Sequence, residues 1–117
     1  DETSHVFRYE NGGYAFHSQI AIQTIPGDHG RLTADQVARA IKPRADWLPR
    51  SRLVVLENTC NAAGGSYYRL EQVLPIHDLC RERGLALHLD GARLFNALVE
   101  TGEATQDWGR AFDSLSI

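Results

Sequence analysis

Two apolar runs joined by one stretch of helical spacing constrain this chain more than any other feature. Leu53 to Leu56 is almost wholly apolar, as a strand covered on both faces should be. Leu85 to Leu89 is a second short run, alternating leucine with Ala86 and His88. Between them, Leu70, Val73, Leu74, Ile76, His77 and Cys80 share one broad face of a predicted helix from Leu70 to Arg83, which Gly84 ends. A strand, a helix and a second buried strand in succession make a parallel crossover unit.

The rest of the chain extends this pattern. Ile20 to Ile25 reads as a short strand closed by the turn residues Pro26, Gly27, Asp28, His29 and Gly30. Thr33 is placed to cap a helix, with Gln36 in the capping-box position and Val37, Ala40 and Ile41 as its apolar stripe. Pro43 stops that helix, and Lys42 lies beside the stop. Asn58 to Ser66 is a polar loop containing glycine. A helix is predicted over Ala92 to Val99, stopped near Gly102, then a shorter one over Asp107 to Phe112 and a strand beginning at Asp113 to Ile117. The expected fold class is α/β, with a mainly parallel sheet and helices on both faces. Such sheets bind ligands outside the carboxyl ends of their strands, and two polar strand exits, after Leu56 and after Leu89, point to that edge.

With 117 residues, 43% of them hydrophobic, the chain suffices for one modest core. The formal charge of -3 comes from interspersed acids and bases, and the arginines are scattered, which argues against a nucleic-acid partner. No run reaches the roughly 18 apolar residues of a membrane span, and no signal-peptide pattern opens the chain, so the expected location is the cytoplasm. The chain starts in polar sequence without methionine and stops inside its last predicted strand, the pattern of an internal segment truncated at both ends.

The residues with chemical potential cluster in His88-Leu89-Asp90-Gly91-Ala92-Arg93. Leu85, Leu87 and Leu89 face one way, whereas Ala86, His88 and Asp90 face the other. A carboxylate at a strand end needs a cation or several hydrogen bonds. For Asp90 that partner is either a protonated ring nitrogen or Arg93, which would merely hold the loop. His88 is expected to order the strand end through a hydrogen bond. Cys80 falls on the apolar helix face and reads as core. A metal set of Cys60, His77, Cys80 and His88 has only one useful local spacing, His77 to Cys80, so no metal is expected. Gly64-Gly65 lacks both the phosphate-loop lysine and a dinucleotide glycine series.

Taken together, Leu56-Glu57-Asn58-Thr59, the loop Asn61 to Gly65 and the block His88 to Ala97 resemble the low-specificity threonine aldolases. These are beta-eliminating-lyase-like members of the aspartate-aminotransferase-like, pyridoxal-phosphate fold type I superfamily. Ser4-His5-Val6 with Tyr9-Glu10-Asn11-Gly12-Gly13 is similar to that family's cofactor-stacking segment. The resemblance implies part of a large cofactor-binding domain and a pyridoxal 5'-phosphate enzyme that cleaves threonine or related β-hydroxy-α-amino acids to glycine and an aldehyde. It implies that Asp90 binds the pyridinium nitrogen, that Arg93 binds the substrate carboxylate, and that His5 stacks on the cofactor and takes part in proton transfer. It also implies a homodimer or homotetramer, and an imine-forming lysine just beyond Ile117. Lys42, the only lysine here, belongs to an outer helix, so the segment alone is expected to be inactive.

Cys60 stands where that family often has histidine. It is either a substrate-binding side chain that alters specificity or a buried structural cysteine. The departure opens phenylserine cleavage or β-elimination as alternative reactions, and a non-catalytic α/β segment is the reading outside enzymology.

Overall fold

The computed structural model describes residues 1–117. Three helices come first, α1 (His5–Arg8), α2 (Gly13–Ser18) and α3 (Ala34–Ala40). Then β1 (Leu53–Glu57), α4 (Leu70–Arg83), β2 (Ala86–Asp90), α5 (Leu94–Thr101), α6 (Thr105–Ala111) and β3 (Ser114–Ser116) follow in turn. The strands form one sheet in the order β1-β2-β3. Both pairings are parallel: β1 runs beside β2 from Leu53–Ala86 to Glu57–Asp90, and β2 beside β3 from His88–Ser114 to Asp90–Ser116. The expected α/β class is therefore observed as a parallel sheet with flanking helices.

Helix α4 has the limits that its apolar spacing predicts. Val73, Ile76 and Cys80 point into the core. Leu74 does not: it is 44% exposed, because it stands one residue, about 100° of helix rotation, beyond Val73. Leu79, absent from the predicted face, packs partly against the core instead. At the C-terminal end Gly84 adopts a φ of +63°, and Leu85 N–H donates to the Cys80 carbonyl at 2.9 Å. A residue without Cβ satisfies the last carbonyls here at least cost. At the other end the Leu70 N–H donates to Glu103 Oε1 at 3.0 Å, and the Trp108 indole donates to Glu103 Oε2 at 3.0 Å. A carboxylate from the α5–α6 connection thereby sits at the N-terminus of α4, where the helix dipole favours negative charge.

Helix α3 starts as expected. Gln36 N–H donates to Thr33 Oγ1 at 3.3 Å, and Thr33 N–H donates to Gln36 Oε1 at 2.8 Å. The expected strand at Ile20 to Ile25 does not form. This segment is irregular, and Ile20 is exposed while only Ile25 packs against the core. Alternating apolar residues permit a strand, but a strand also needs a partner ladder, and the segment joins neither edge of the sheet.

The core lies between the sheet and α4, α5 and α6. Leu56, Leu87 and Leu89 come from strands, Leu94 and Leu98 from α5, and Trp108 with Phe112 from α6 and its exit. Cys80 takes its expected core place. Burial pushes its thiol up to about 11 from an ordinary 9.0, while the charge of Asp113 acts in the same direction. The unfolded chain therefore loses this proton first as pH rises. The stability that the neutral thiol contributes is complete below pH 9 and declines between pH 9 and about 11. Urea midpoints measured across that window should fall, and Cys80→Ala should flatten the decline. An equal decline in that variant would show that other groups cause it.

Candidate active site

The carboxyl ends of the three strands gather the site. Glu57 of β1 is the register partner of Asp90 in β2, and Asp90 is in turn the partner of Ser116 in β3. The ladder continues one residue further, with Asn58 N–H donating to the Asp90 carbonyl at 2.9 Å and Gly91 N–H to the Ser116 carbonyl at 2.8 Å. A Cβ on Gly91 would stand 2.9 Å from that same Ser116 oxygen. The bare glycine lets the exit of β2 pass this close to β3 before turning into α5.

Glu57 is the most heavily engaged group at this edge. It is 5% exposed, and its two oxygens accept three hydrogen bonds. Oε1 receives Arg93 Nη2 at 2.8 Å and Asn61 N–H at 3.0 Å, and Oε2 receives His5 N–H at 2.8 Å. A buried carboxylate requires such compensation, and removing one member of a buried ion pair typically costs about 3–5 kcal/mol. Arg93 is thus held by Glu57 and not by Asp90, so the loop-holding Asp90–Arg93 pair is absent.

Asp90 has no cationic partner within the chain. Its Oδ1 accepts only the Ala92 N–H, at 3.3 Å, and the side chain is half-buried. His5 is joined to the same edge by its backbone bond to Glu57. Its ring stacks on Tyr9 with centroids 4.7 Å apart, and its Nδ1 lies 3.3 Å from Glu10 Oε1. His88 meets the expectation of an ordering bond: its Nδ1 lies 2.8 Å from Ser114 Oγ across the β2–β3 pair.

Cys60 lies within the core at 3% exposure, where its thiol donates to the Glu57 carbonyl at 3.2 Å. Gly30 makes room for it, since a Cβ there would come within 2.7 Å of Cys60 Cβ. Burial raises the thiol above its ordinary range. This placement matches the structural-cysteine alternative. Asn58 is wholly buried: its Oδ1 accepts from Tyr68 N–H at 3.1 Å, and its Nδ2 donates to the Tyr68 carbonyl at 3.4 Å. Tyr68 escaped the sequence reading. Its buried hydroxyl accepts from Leu32 N–H at 2.6 Å, and desolvation raises its pKa. Lys42 is exposed, and its N–H donates to Ser51 Oγ near the amino end of β1. The length of a five-residue strand, on the order of 15 Å, separates that end from the carboxyl edge.

The carboxyl edge of the sheet thus carries a carboxylate without a cationic partner, Asp90, an arginine with unused donors, Arg93, and the His5 segment tied to Glu57. The sequence profile of the beta-eliminating lyase family matches residues 1–117. The chain is 38% identical over 117 residues to the low specificity L-threonine aldolase of Escherichia coli K12, covering 99% of this chain and 34% of that protein. It is 35% identical over 120 residues to the low specificity L-threonine aldolase of Saccharomyces cerevisiae, covering 100% of this chain and 30% of that one. The chain thus spans about a third of the length of these relatives. Among solved structures, a threonine aldolase of Leishmania major superposes with a TM-score of 0.88 at 28% identity, over 99% of this chain and 34% of that one. A putative L-allo-threonine aldolase of Listeria monocytogenes gives 0.79 at 27% identity, over 97% and 30%. The family match over residues 1–117, with the shared fold and the similarity to low-specificity L-threonine aldolases, establishes that this chain belongs to the beta-eliminating lyase family.

Proposed function

We propose that these 117 residues are part of the large domain of a pyridoxal-phosphate enzyme that cleaves threonine, or a related β-hydroxy-α-amino acid, to glycine and an aldehyde. The observation that carries this reading is the division of labour between two neighbouring acids. Glu57 is fully occupied by Arg93 and two backbone donors, while Asp90 is left without a cation at the edge where α/β sheets bind ligands. A carboxylate so placed can hold the proton on a pyridine nitrogen. Bound pyridoxal phosphate supplies the electron sink for breaking a Cα–Cβ bond. Arg93 orients the substrate through its carboxylate, and His5 covers the ring and handles a proton near the substrate hydroxyl. Cys60, buried behind Glu57, shapes the site from beneath without meeting substrate. A homodimer or homotetramer is part of this proposal.

The test is product analysis on the full-length protein with threonine, allo-threonine and phenylserine in the presence of pyridoxal phosphate. Glycine and the matching aldehyde are the expected products; ammonia and a keto acid in their place would overturn the assignment in favour of β-elimination. The 117 residues alone are expected to release no glycine, because Lys42 stands at the wrong end of β1 to hold the cofactor. Cofactor-dependent release by the isolated chain would defeat that part of the proposal.

A further inference from the structure

The guanidinium of Arg93 has two edges that can each bind a carboxylate in a fork, one formed by Nε and Nη2 and the other by Nη1 and Nη2. In this structure the first is taken. Nε donates to the Thr59 carbonyl at 3.4 Å and Nη2 donates to Glu57 Oε1 at 2.8 Å. Nη1 makes no hydrogen bond within the chain, and the side chain is 30% exposed. Nη1, the one guanidinium nitrogen without a partner, therefore makes the Nη1–Nη2 edge the one that Arg93 has left to offer.

Glu57 fixes that choice while holding two other segments. The oxygen that takes Arg93 also takes Asn61 N–H from the loop after β1, and the other oxygen takes His5 N–H at the start of α1. These partners lie 52, 4 and 36 positions from Glu57, for His5, Asn61 and Arg93 respectively. One carboxylate thus sets the relative positions of the histidine segment, the loop and the arginine.

We infer that Glu57 is a positioning residue for substrate binding: it occupies one edge of Arg93 so that the other edge is aimed at the carboxylate of an amino-acid substrate. This inference rests on the reading of Arg93 as the carboxylate-binding residue. Glutamine cannot reproduce the arrangement. Its amide has one oxygen, so either His5 N–H or the Arg93–Asn61 pair faces an NH2 group. Aspartate keeps the charge but retracts it by one methylene.

The experiment uses the full-length protein loaded with pyridoxal phosphate and measures ligand binding by calorimetry and by the visible absorbance of the cofactor. Glycine carries the carboxylate; methylamine has an amine and no carboxylate. E57Q and E57D should each weaken glycine binding roughly tenfold or more, the scale of one charge-assisted hydrogen bond, and leave methylamine binding within about twofold. Equal weakening of both ligands, weakening of neither, or loss of cofactor from both variants would overturn the inference. If only E57Q fails to fold, E57D decides the matter. R93K separates the two levels of the argument. If R93K weakens glycine selectively and the Glu57 variants do not, the positioning role alone fails. If R93K leaves glycine binding unchanged, the carboxylate reading of Arg93 fails and the role of Glu57 falls with it.

Discussion

Asp90→Asn in the full-length protein is expected to lower turnover by about 10²–10³-fold while cofactor occupancy stays normal. The substitution preserves side-chain size and can still accept the Ala92 N–H, the only hydrogen bond that the carboxylate makes within the chain. What it removes is the negative charge that, in the proposed role, would hold the proton on the ring nitrogen of pyridoxal phosphate. Without that charge Asp90 could no longer keep a bound ring protonated, and the electron sink that the cofactor would supply for Cα–Cβ cleavage would be weakened. If Arg93, which Glu57 holds, binds the amino-acid carboxylate as proposed, KM should move much less than kcat. Near-normal turnover with full occupancy would remove Asp90 from the assigned role.

Trp108→Ala has the largest expected effect on stability, about 3–5 kcal/mol. Trp108 is fully buried and stacks on Phe112 with planes 10° apart and centroids separated by 6.1 Å. Its indole also donates to Glu103, the carboxylate that accepts the first N–H of α4. Truncation leaves a large cavity beside the sheet and frees Glu103 from its fixed position, so the crossover helix loses its anchor at the same time. A lowered denaturation midpoint and increased amide exchange at the start of α4 are the measurements. Trp108→Phe should recover most of the packing but leave Glu103 short of a donor. A midpoint for the alanine variant close to that of the parent would refute the account.

The strands and the crossover helix were legible because their residues carry the information locally. The unbroken apolar run at Leu53 to Leu56, the helical spacing from Leu70 and the stop at Gly84 each report an environment that their own neighbours determine. The segment from Ile20 to Ile25 shows the limit, since pairing depends on what lies alongside it and periodicity is silent on that. At the site, the polar exits after β1 and β2 marked the right edge. Which acid holds Arg93 was not legible: Asp90 is three residues away in sequence, Glu57 thirty-six, and only the parallel register makes the distant one the partner. The burial of Cys60 depends on the absence of a side chain at Gly30, a contact between two loops that no local pattern encodes.

The parallel register also bears on how the chain acquires its shape during synthesis. Neighbouring residues of β1 and β2 are 33 positions apart, and those of β2 and β3 are 26 apart, so no hairpin can bring any two strands together early. Long-range closure of this kind slows folding and prolongs the exposure of unpaired strands. Glu57 leaves the ribosome well before Arg93, and until β2 docks, its carboxylate has to stay in water. Burial of that edge therefore requires the arginine, and the ion pair can be completed only when β2 pairs with β1. Substitutions that weaken the pair should therefore lengthen the exposure of the unpaired strands as well as lower the stability of the finished protein.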